Sequence, residues 1–344
     1  MPQLPAVPAR PSARRRRPVR RAAVVSALAL CPVLALAGCS GGSGNAASPP
    51  SSSSTGSGAA GATGPLPTAS GSYGDKPTLT FPGAKPSGAL QTKVLEAGSG
   101  PVVKKGDLLV ADYLGQIWRG KVFDNSYDRH QAAAFEIGTG KVIPGWDEGL
   151  VGVKSGSRVM LVIPPAKGYG SQGNAQAGIK GTDTLAFVVD VVQSFGKGAA
   201  AGTATTSQHA RTPGITVTGP VGKQPKVTVA KGTKVPTKPT ATLLDKGSGP
   251  VVKPGLLVVE YEAVTWDGKS AGSTWQAGAP VGAPVGASSQ GQQGSPFDSL
   301  VGMPVGSRAL ITLPGQQGSP ATSSVAAVVD IVAQPPTAKE AAKK

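Results

Sequence analysis

Between residues 78 and 192, apolar side chains alternate with polar ones in short runs bounded by Gly and Pro. Alternation with a period of two predicts strands that bury one face. The predicted strands cover residues 78–81, 90–95, 107–113 with a continuation at 115–118, 135–138, 157–163 and 184–192. Residues 98–101 and 119–121 have the composition of turns. The pattern therefore indicates an antiparallel sheet.

One stretch, residues 142–150, has helical spacing instead. Ile143, Trp146 and Leu150 recur at i, i+3 and i+7, which places them on one face of a helix. Pro144 suits the first helical turn, where its missing N–H breaks no bond, and Asp147 near the start suits the helix dipole. With the sheet, this short helix predicts an α+β fold. Trp146 is then either a plain core residue or the floor of a pocket.

The whole pattern occurs twice. The run LEAGSGPVVK at 95–104 returns as LDKGSGPVVK at 244–253, an offset of 149 residues. Tyr113 corresponds to Tyr261, and Asp190 corresponds to Asp330. The period is too long for a solenoid, so we predict a tandem duplication of one domain.

The first 39 residues are predicted to be an export signal. An Arg-rich start precedes an apolar run from Ala22 to Ala37, too short for a spanning helix, and the run leads into LAGC, ending at Cys39. This sequence resembles the lipobox of bacterial lipoproteins, in which the Cys is acylated after cleavage. An ordinary secretory signal and an uncleaved anchor are the alternatives. A twin-Arg route stays open, although no clean consensus for it is present.

Composition sets the remaining boundaries. Residues 40–75 are Ser, Gly, Ala, Pro and Thr with no charge before Asp75, which predicts a flexible linker. A similar composition predicts a second linker over 196–223. The domains are then predicted over 76–195 and 224–334, and the tail 335–344 is predicted to be disordered.

The net charge of +16 falls to +9 once the seven arginines of the first 38 residues are removed. No clustered basic face with stacking aromatics is evident, so nucleic-acid binding is not predicted. Cys31 and Cys39 both lie in or at the end of the signal, and His130 and His209 are the only histidines. This composition excludes cysteine catalysis and gives poor support to a metal site or a Ser-His-Asp triad, so we predict no cofactor and no metal.

Several separated motifs between 106 and 192 resemble the FKBP-type peptidyl-prolyl isomerases. They are Tyr113, Gly120-Lys121-Val122-Phe123-Asp124, Val142-Ile143-Pro144-Gly145-Trp146-Asp147-Glu148-Gly149, Tyr169-Gly170 and Phe187. The resemblance implies a half-open antiparallel sheet wrapped around the single helix. It also implies an enzyme that rotates X-Pro peptide bonds.

The chemistry of that reaction fits these residue types. Rotation about an X-Pro bond must break amide resonance, with a barrier near ~20 kcal/mol, and needs no nucleophile. The twisted transition state is less polar than the planar amide, so an apolar pocket favours it. Aromatic walls suit that task. The predicted walls are Tyr113, Phe123, Trp146, Tyr169 and Phe187, with Val142 and Ile143 at the rim.

Polar roles are predicted for a few residues. The Ile143 N–H and the Tyr169 hydroxyl would donate to the substrate. By family analogy Asp124 lies beside the reacting carbonyl, Arg129 braces Tyr113 and Asp124, and Ile179 supplies an apolar contact from a loop. The alternatives are a plain core role for Tyr113 and Phe187, a turn role for Asp124 and a solvated Arg129. Ala133 stands where the family often has an aromatic residue, which bears on substrate preference and macrolide affinity.

The second repeat keeps Tyr261 but has Ala271-Gly272 in place of Phe-Asp and Phe297 near the Trp146 position. We interpret it as a degenerate, non-catalytic copy. The predicted protein is an extracytoplasmic isomerase, anchored to the membrane through lipid on Cys39. Its predicted partners are proline-containing unfolded or exported polypeptides and, by resemblance, a macrolide. The alternatives are a non-catalytic chaperone or peptide-binding lipoprotein, and a purely structural envelope repeat.

Overall fold

A computed structural model describes residues 64–199, 206–207, 212–286, 295–315 and 318–343. The first lobe, residues 64–199, consists of eight strands and one α-helix. The strands are β1 (Thr68–Ala69), β2 (Leu79–Thr80), β3 (Gln91–Glu96), β4 (Leu108–Ile117), β5 (Val122–Asn125), β6 (Ala133–Glu136), β7 (Arg158–Ile163) and β8 (Leu185–Phe195). The helix α1 spans Pro144–Leu150, with Pro144 in its first turn as the sequence predicted.

The main sheet of the first lobe is antiparallel, in the order β3-β7-β8-β4-β5, and β6 also pairs with β4. Side chains alternate along β4, because successive residues of a strand point to opposite faces. Leu109 and Tyr113 pack into the core that contains Trp146 and Leu150 of α1. Leu108 and Val110 face the other side. One face of the sheet therefore packs on the helix, which confirms the predicted α+β fold.

The second lobe, the described residues between 206 and 334, repeats this arrangement. The strands are β9 (Thr206–Ser207), β10 (Ile215–Thr218), β11 (Lys226–Val229), β12 (Thr240–Lys246), β13 (Gly255–Thr265), β14 (Ser270–Ser273), β15 (Val281–Val285), β16 (Arg308–Leu313) and β17 (Val325–Ala333), with helix α2 at Thr274–Ala277. The sheet runs β14-β13-β17-β16-β12-β9, with β15 also on β13. The strand order therefore matches that of the first lobe, with β12, β16, β17, β13, β14 and β15 in the places of β3, β7, β8, β4, β5 and β6.

The two sheets also share their irregularities. The register shifts between Val94 and Glu96 of β3, and it shifts between Leu243 and Asp245 of β12. A bulge is an extra residue that bends a strand, and its recurrence at equivalent places is typical of related domains. Two sheet bodies with one strand order and matching bulges are consistent with two FKBP-like domains.

The predicted first linker is wrong over residues 64–75, which pack on the first lobe. Strand β1 pairs with β2, and the Arg158 guanidinium donates to the carbonyl oxygens of Gly71, at 2.8 Å, and Asp75. In the second lobe, β10 pairs with β11, and Arg308 donates to the carbonyls of Gly219 and Lys223. The predicted linker 196–223 therefore ends before residue 212. Composition failed here because much of each segment is held by a buried arginine that binds backbone carbonyls, which composition does not record, beside a few apolar contacts such as that of Ile215.

The C-terminal segment, residues 335–343, is also ordered, contrary to the prediction of a disordered tail. Helix α3 spans Ala338–Ala341, and a capping box between Thr337 and Glu340 closes its first turn. Ala338 is fully buried, and its backbone N–H donates to Asp112 of the first lobe at 2.7 Å. Six of the last ten residues are Ala or Lys, so the segment carries no hydrophobic pattern that predicts docking.

The predicted signal and Cys39 lie outside the described residues. Among the helices that are described, none has the length and apolar character needed to cross a membrane.

Candidate active site

Trp146 lies at the centre of a cluster of aromatic rings in the first lobe. Its ring centroid is 5.5 Å from that of Tyr113, 4.8 Å from that of Phe135 and 5.4 Å from that of Phe187. The ring centroids of Phe123 and Phe187 lie 5.6 Å apart. All of these pairs meet edge to face, which is a favourable geometry for aromatic rings. The cluster combines side chains from β4, β5, β6, α1 and β8.

The rings do not fill the space between them, and they border an open hollow of about 520 Å³. This volume lies in the range of about 300–1,000 Å³ typical of small-ligand pockets. Trp146 is 4% exposed and forms the floor. The residues that line the hollow are Tyr113, Phe123, Asp124, Phe135, Lys141, Val142, Ile143, Pro144, Trp146, Gly168, Tyr169 and Phe187. An apolar ring the size of proline can enter it.

One edge of the hollow is polar. The Tyr113 hydroxyl donates to Asp124, and Arg129 donates from Nη1 to Asp124 Oδ1 at 2.6 Å and from Nη2 to the Tyr113 oxygen at 3.0 Å. The guanidinium also lies 5.8 Å from the centroid of the Tyr113 ring. The three side chains therefore hold one another in place, so that the carboxylate stays at the edge of the apolar hollow.

These contacts fix the protonation of both acids. Burial and the Asp124 carboxylate raise the pKa of Tyr113 to about 12. Partial burial opposes ionisation of Asp124, but the hydrogen bonds from Tyr113 and Arg129 outweigh it and lower the pKa of Asp124. Near neutral pH, Tyr113 is thus a neutral donor and Asp124 is an anion.

Two hydrogen-bond donors are available beside the floor. Ile143 is the N-cap of α1, and its backbone N–H makes no hydrogen bond to another described residue. An unpaired donor at a helix start is free for a ligand carbonyl. Tyr169 is 37% exposed, and its ring lines the opposite side of the hollow. The indole nitrogen of Trp146 is buried, and it too has no partner in the described part of the chain.

The structure brings together most of the predicted site. All eight residues predicted to act on the substrate line the hollow: Tyr113, Phe123, Asp124, Val142, Ile143, Trp146, Tyr169 and Phe187. Arg129 contacts two of them, as described above. Ile179 is 4% exposed and belongs to the core around Trp146, and it does not line the hollow.

Sequence reasoning missed Phe135. Its ring packs on both Tyr113 and Trp146 and lines the hollow. Ala133, at the position that was expected to thin the wall, precedes it by two residues on the same strand β6. Residues two apart in a strand share a face, so the alternation at 135–138 was the signal that could have placed Phe135 at the site.

Gly115 is a second residue that sequence reasoning missed. It lies on β4, opposite Asp124 of β5 and Phe187 of β8. A Cβ at this position would lie 2.7 Å from atoms of both Phe123 and Phe187. Only glycine leaves room for these two rings, and a lone Gly inside a strand is the only sequence signal for such a close approach.

Comparison with known proteins identifies the family. Residues 100–192 match the family model described as FKBP-type peptidyl-prolyl cis-trans isomerase. An FK506-binding protein of Streptomyces anulatus is 39% identical over 119 residues, which cover 34% of this chain and 96% of that relative. The chain belongs to the FKBP-type peptidyl-prolyl cis-trans isomerases. It is therefore an enzyme of that class.

Other FKBPs match the same region. FkpA of Escherichia coli K12 is 42% identical over 106 residues, which are 31% of this chain and 38% of FkpA. The crystal structure of FkpA from Escherichia coli aligns with 43% identity and a TM-score of 0.29, over 30% of this chain and 47% of that one. This chain thus covers less than half of FkpA, and the resemblance concerns the FKBP domain alone.

The second FKBP-like lobe has lost most of the aromatic wall. Strand register places Ala271 at the position of Phe123, Ala283 at that of Phe135 and Ala327 at that of Phe187. Tyr261 and Phe297 remain, with ring centroids 6.2 Å apart. Three phenylalanines replaced by alanines remove the apolar walls that the first lobe presents.

Neither lobe shows a metal centre in its described residues, since they contain no group of three His, Cys, Asp or Glu side chains that could hold an ion. The isomerase chemistry requires none.

Proposed function

We propose that the aromatic hollow of the first lobe is the isomerase site. A proline ring would rest on Trp146, with Phe135 and Phe187 on either side of that floor. The residue before proline would place its carbonyl near the Ile143 N–H and the Tyr169 hydroxyl. The observation that carries this proposal is an open apolar hollow bordered by a fixed Tyr113–Asp124 pair.

In this mechanism the protein supplies environment rather than bond-forming groups. As the amide twists, its dipole falls, and the apolar walls favour that state over the planar one. Donors that reach the substrate carbonyl contribute ~1–3 kcal/mol each. The Asp124 carboxylate, held by Arg129, would face the carbon atom of the rotating carbonyl. This carbon is more positive in the twisted transition state than in the planar amide. No proton transfer is needed.

Binding partners follow from the same hollow. We propose proline-containing segments of unfolded chains as substrates, since slow X-Pro isomerisation limits the folding of many proteins. The Streptomyces relative is named for binding FK506. A macrolide of that type is the corresponding candidate ligand here, because the aromatic floor that would hold a proline ring would also hold an apolar ring of a ligand.

Turnover of a short X-Pro peptide by the full chain tests the site. Asp124→Asn is expected to lower kcat/KM about 10-fold, in line with the loss of one charge-assisted hydrogen bond to the site. Asp128→Asn is the matched control, because Asp128 lies four residues away, pairs with Lys76 at 2.7 Å and is exposed. Equal activity of both variants would contradict the role given to Asp124. Absence of turnover by the wild-type chain would favour the alternative, a non-catalytic chaperone or peptide-binding lipoprotein on the same scaffold.

We also propose that the protein works outside the cytoplasm, anchored to the membrane by lipid on Cys39. The Arg-rich start, the apolar run and the LAGC sequence support this. The domain boundaries proposed with it are a tether from 40 to about 63, the isomerase domain at 64–199 and a non-catalytic domain at 212–334. Clients would then be polypeptides that fold after export.

Cys39→Ser tests the anchor. We expect the wild-type protein in the membrane fraction, with a lipid-sized increase in mass at its N-terminus, and the variant in the soluble extracytoplasmic fraction. Peptide turnover should be the same for both. A wild-type protein found in the soluble fraction without added lipid would contradict the anchor, but not the isomerase assignment.

A further inference from the structure

Asp112 is a buried carboxylate next to the candidate site. It precedes Tyr113 in β4, so the two side chains point to opposite faces of the sheet. Asp112 is 3% exposed. Its Oδ1 accepts a hydrogen bond from the Ser126 hydroxyl at 2.6 Å, and its Oδ2 accepts one from the Ala338 N–H at 2.7 Å. Each oxygen therefore has one donor, and one of the donors comes from the C-terminal segment.

Ser126 connects this carboxylate to the site. Its hydroxyl accepts a hydrogen bond from the Tyr113 N–H at 2.9 Å, and its own N–H donates to the Tyr113 carbonyl at 2.9 Å. Ser126 is fully buried and follows β5, which carries Phe123 and Asp124. The Ser126 contacts therefore fix the end of β5 against β4 at the point where Tyr113 and Asp124 meet.

The donor in the C-terminal segment is held firmly. Ala338 is the first residue of α3 and is fully buried. The capping box fixes it from both sides, since the Thr337 N–H donates to Glu340 at 2.8 Å and the Glu340 N–H donates to the Thr337 hydroxyl at 3.3 Å. A continuous series of hydrogen bonds thus joins Ala338, Asp112, Ser126 and Tyr113.

The second lobe serves as an internal comparison. Glu260 occupies the position of Asp112, and Thr274 that of Ser126, with the Tyr261 N–H donating to the Thr274 hydroxyl at 2.8 Å. Glu260 is 2% exposed, but its Oε2 has no partner among the described residues. The C-terminal segment therefore completes the carboxylate only in the lobe that has the aromatic hollow.

We propose that Asp112 is a positioning residue of the isomerase site, and that the C-terminal segment holds it in place through the Ala338 N–H. This inference rests on the assignment of the hollow as the isomerase site. Without that N–H, a buried carboxylate keeps only one of its two donors, an unfavourable state. The Asp112 carboxylate then turns toward water or another donor, Ser126 loses its fixed acceptor, and the Tyr113–Asp124 pair moves. Turnover in the first lobe thus depends on the last ten residues of the chain.

The aromatic floor does not depend on this series of bonds, which predicts a specific kinetic result. Trp146, Phe135 and Phe187 would still bind the proline ring, so KM should change little. The polar edge acts on the rotating carbonyl, so kcat should fall. A general loss of structure would instead lower the amount of active protein and the free energy of unfolding together.

Ala338→Pro in the full chain tests the proposal, because proline has no N–H to donate to Asp112. Proline suits the first position of a helix, and Thr337 has the extended backbone, φ −69° and ψ 162°, that a residue before proline adopts. We expect a fall in kcat of roughly 10-fold, the size of one lost hydrogen bond to a charged group, with KM within about twofold of wild type. Lys339→Ala, at the exposed neighbouring position, should leave both constants unchanged.

Two further variants keep the test decisive if proline disturbs the helix. Deletion of residues 335–344 should lower kcat as Ala338→Pro does. Asp112→Asn, whose single oxygen accepts only one of the two bonds, should give an intermediate value. Wild-type kcat in both the deletion and Ala338→Pro, with the wild-type protein active, would overturn this proposal alone. A wild-type protein without turnover would contradict the proposed function, and this proposal with it.

Discussion

The residues at the polar edge of the hollow set its charge state. Tyr113, Asp124 and Arg129 are joined by hydrogen bonds, and the same contacts raise the pKa of the phenol and lower that of the carboxyl group. His130, the next residue along, is exposed and does not line the hollow. Neither group at the edge therefore titrates near neutral pH.

These protonation states predict a pH profile of kcat/KM that is flat near neutral pH. Asp124 ionises at a lower pH than an ordinary carboxyl group, so it stays charged until the pH falls to its lowered pKa. Tyr113 stays protonated up to about pH 12. We expect kcat/KM for an X-Pro peptide to be constant between about pH 6 and about pH 9 and to decline only in acid. A transition near the ordinary pKa of histidine would contradict this account.

Gly115 should prove as important as the rings it separates. In Gly115→Ala, the added methyl would lie 2.7 Å from Phe123 and Phe187. Over-packing of this kind costs about 1–3 kcal/mol of stability and displaces side chains. We expect kcat/KM to fall on the order of 10-fold, because the displaced rings would no longer hold the substrate in the productive position. Gly88→Ala, where a Cβ meets nothing within 4 Å, should behave as wild type in both activity and unfolding.

At this scale the sequence allowed part of the site to be predicted. Tyr113, Phe123 and Trp146 stand in motifs with fixed spacing, and the structure places them together. Phe135 stands outside those motifs, and only its alternation along β6 could have placed it at the site. Asp112 could not be found from local spacing, because its importance arises from a contact with a segment more than 200 residues away.

At the scale of elements, a buried ion pair holds each lobe together. The Arg158 Nε donates to Asp190 Oδ1 at 2.7 Å, and both side chains are almost completely buried. Burial raises the pKa of Asp190, although Arg158 acts in the opposite direction. Arg308 and Asp330 form the same pair in the second lobe, at 2.6 Å. Each arginine also fixes the strand-poor segment that precedes its sheet.

Removal of one partner should therefore be costly. Arg158→Leu leaves a buried carboxylate without its counterion and releases residues 71–75, and we expect a loss of about 3–5 kcal/mol in the free energy of unfolding. Lys167→Ala breaks an exposed ion pair with Glu148 and should cost about 0–1 kcal/mol. Chemical denaturation of the full chain measures both. Similar losses for the two variants would refute the role given to the buried pair.

The elements themselves were largely predictable. Pro144 and the apolar face placed α1 correctly, and alternation predicted β3, β4, β7 and β8, although β4 runs unbroken from Leu108 to Ile117. Strand β6 begins two residues earlier than predicted, and β5 was not predicted. The ends of the lobes were not predictable from composition. Residues 64–75 have the composition of a linker, but their backbone carbonyls accept hydrogen bonds from the buried Arg158. Residues 335–343 have the composition of a tail, but the backbone N–H of Ala338 donates to the buried Asp112.

For the whole molecule, two lobes of the same strand order carry different side chains. Apolar residues of the first lobe, Leu108, Val110, Ala132 and Phe195, pack in one cluster with Leu256, Val258 and Val332 of the second. Among the described residues, three rings of the first-lobe hollow are replaced by alanines in the second. We therefore propose that the second lobe supports the first rather than repeating its chemistry.

The most direct measurement compares equivalent substitutions in the two lobes. Trp146→Ala and Phe297→Ala are each made in the full chain, and isomerisation of a short X-Pro peptide is followed at equal concentrations of folded protein. If the first-lobe hollow is the catalytic site, Trp146→Ala loses most of the activity, on the order of 100-fold, because the floor that would position the proline ring is gone, and Phe297→Ala retains it. Loss of activity in Phe297→Ala with retention in Trp146→Ala, or no effect of either, would contradict the account.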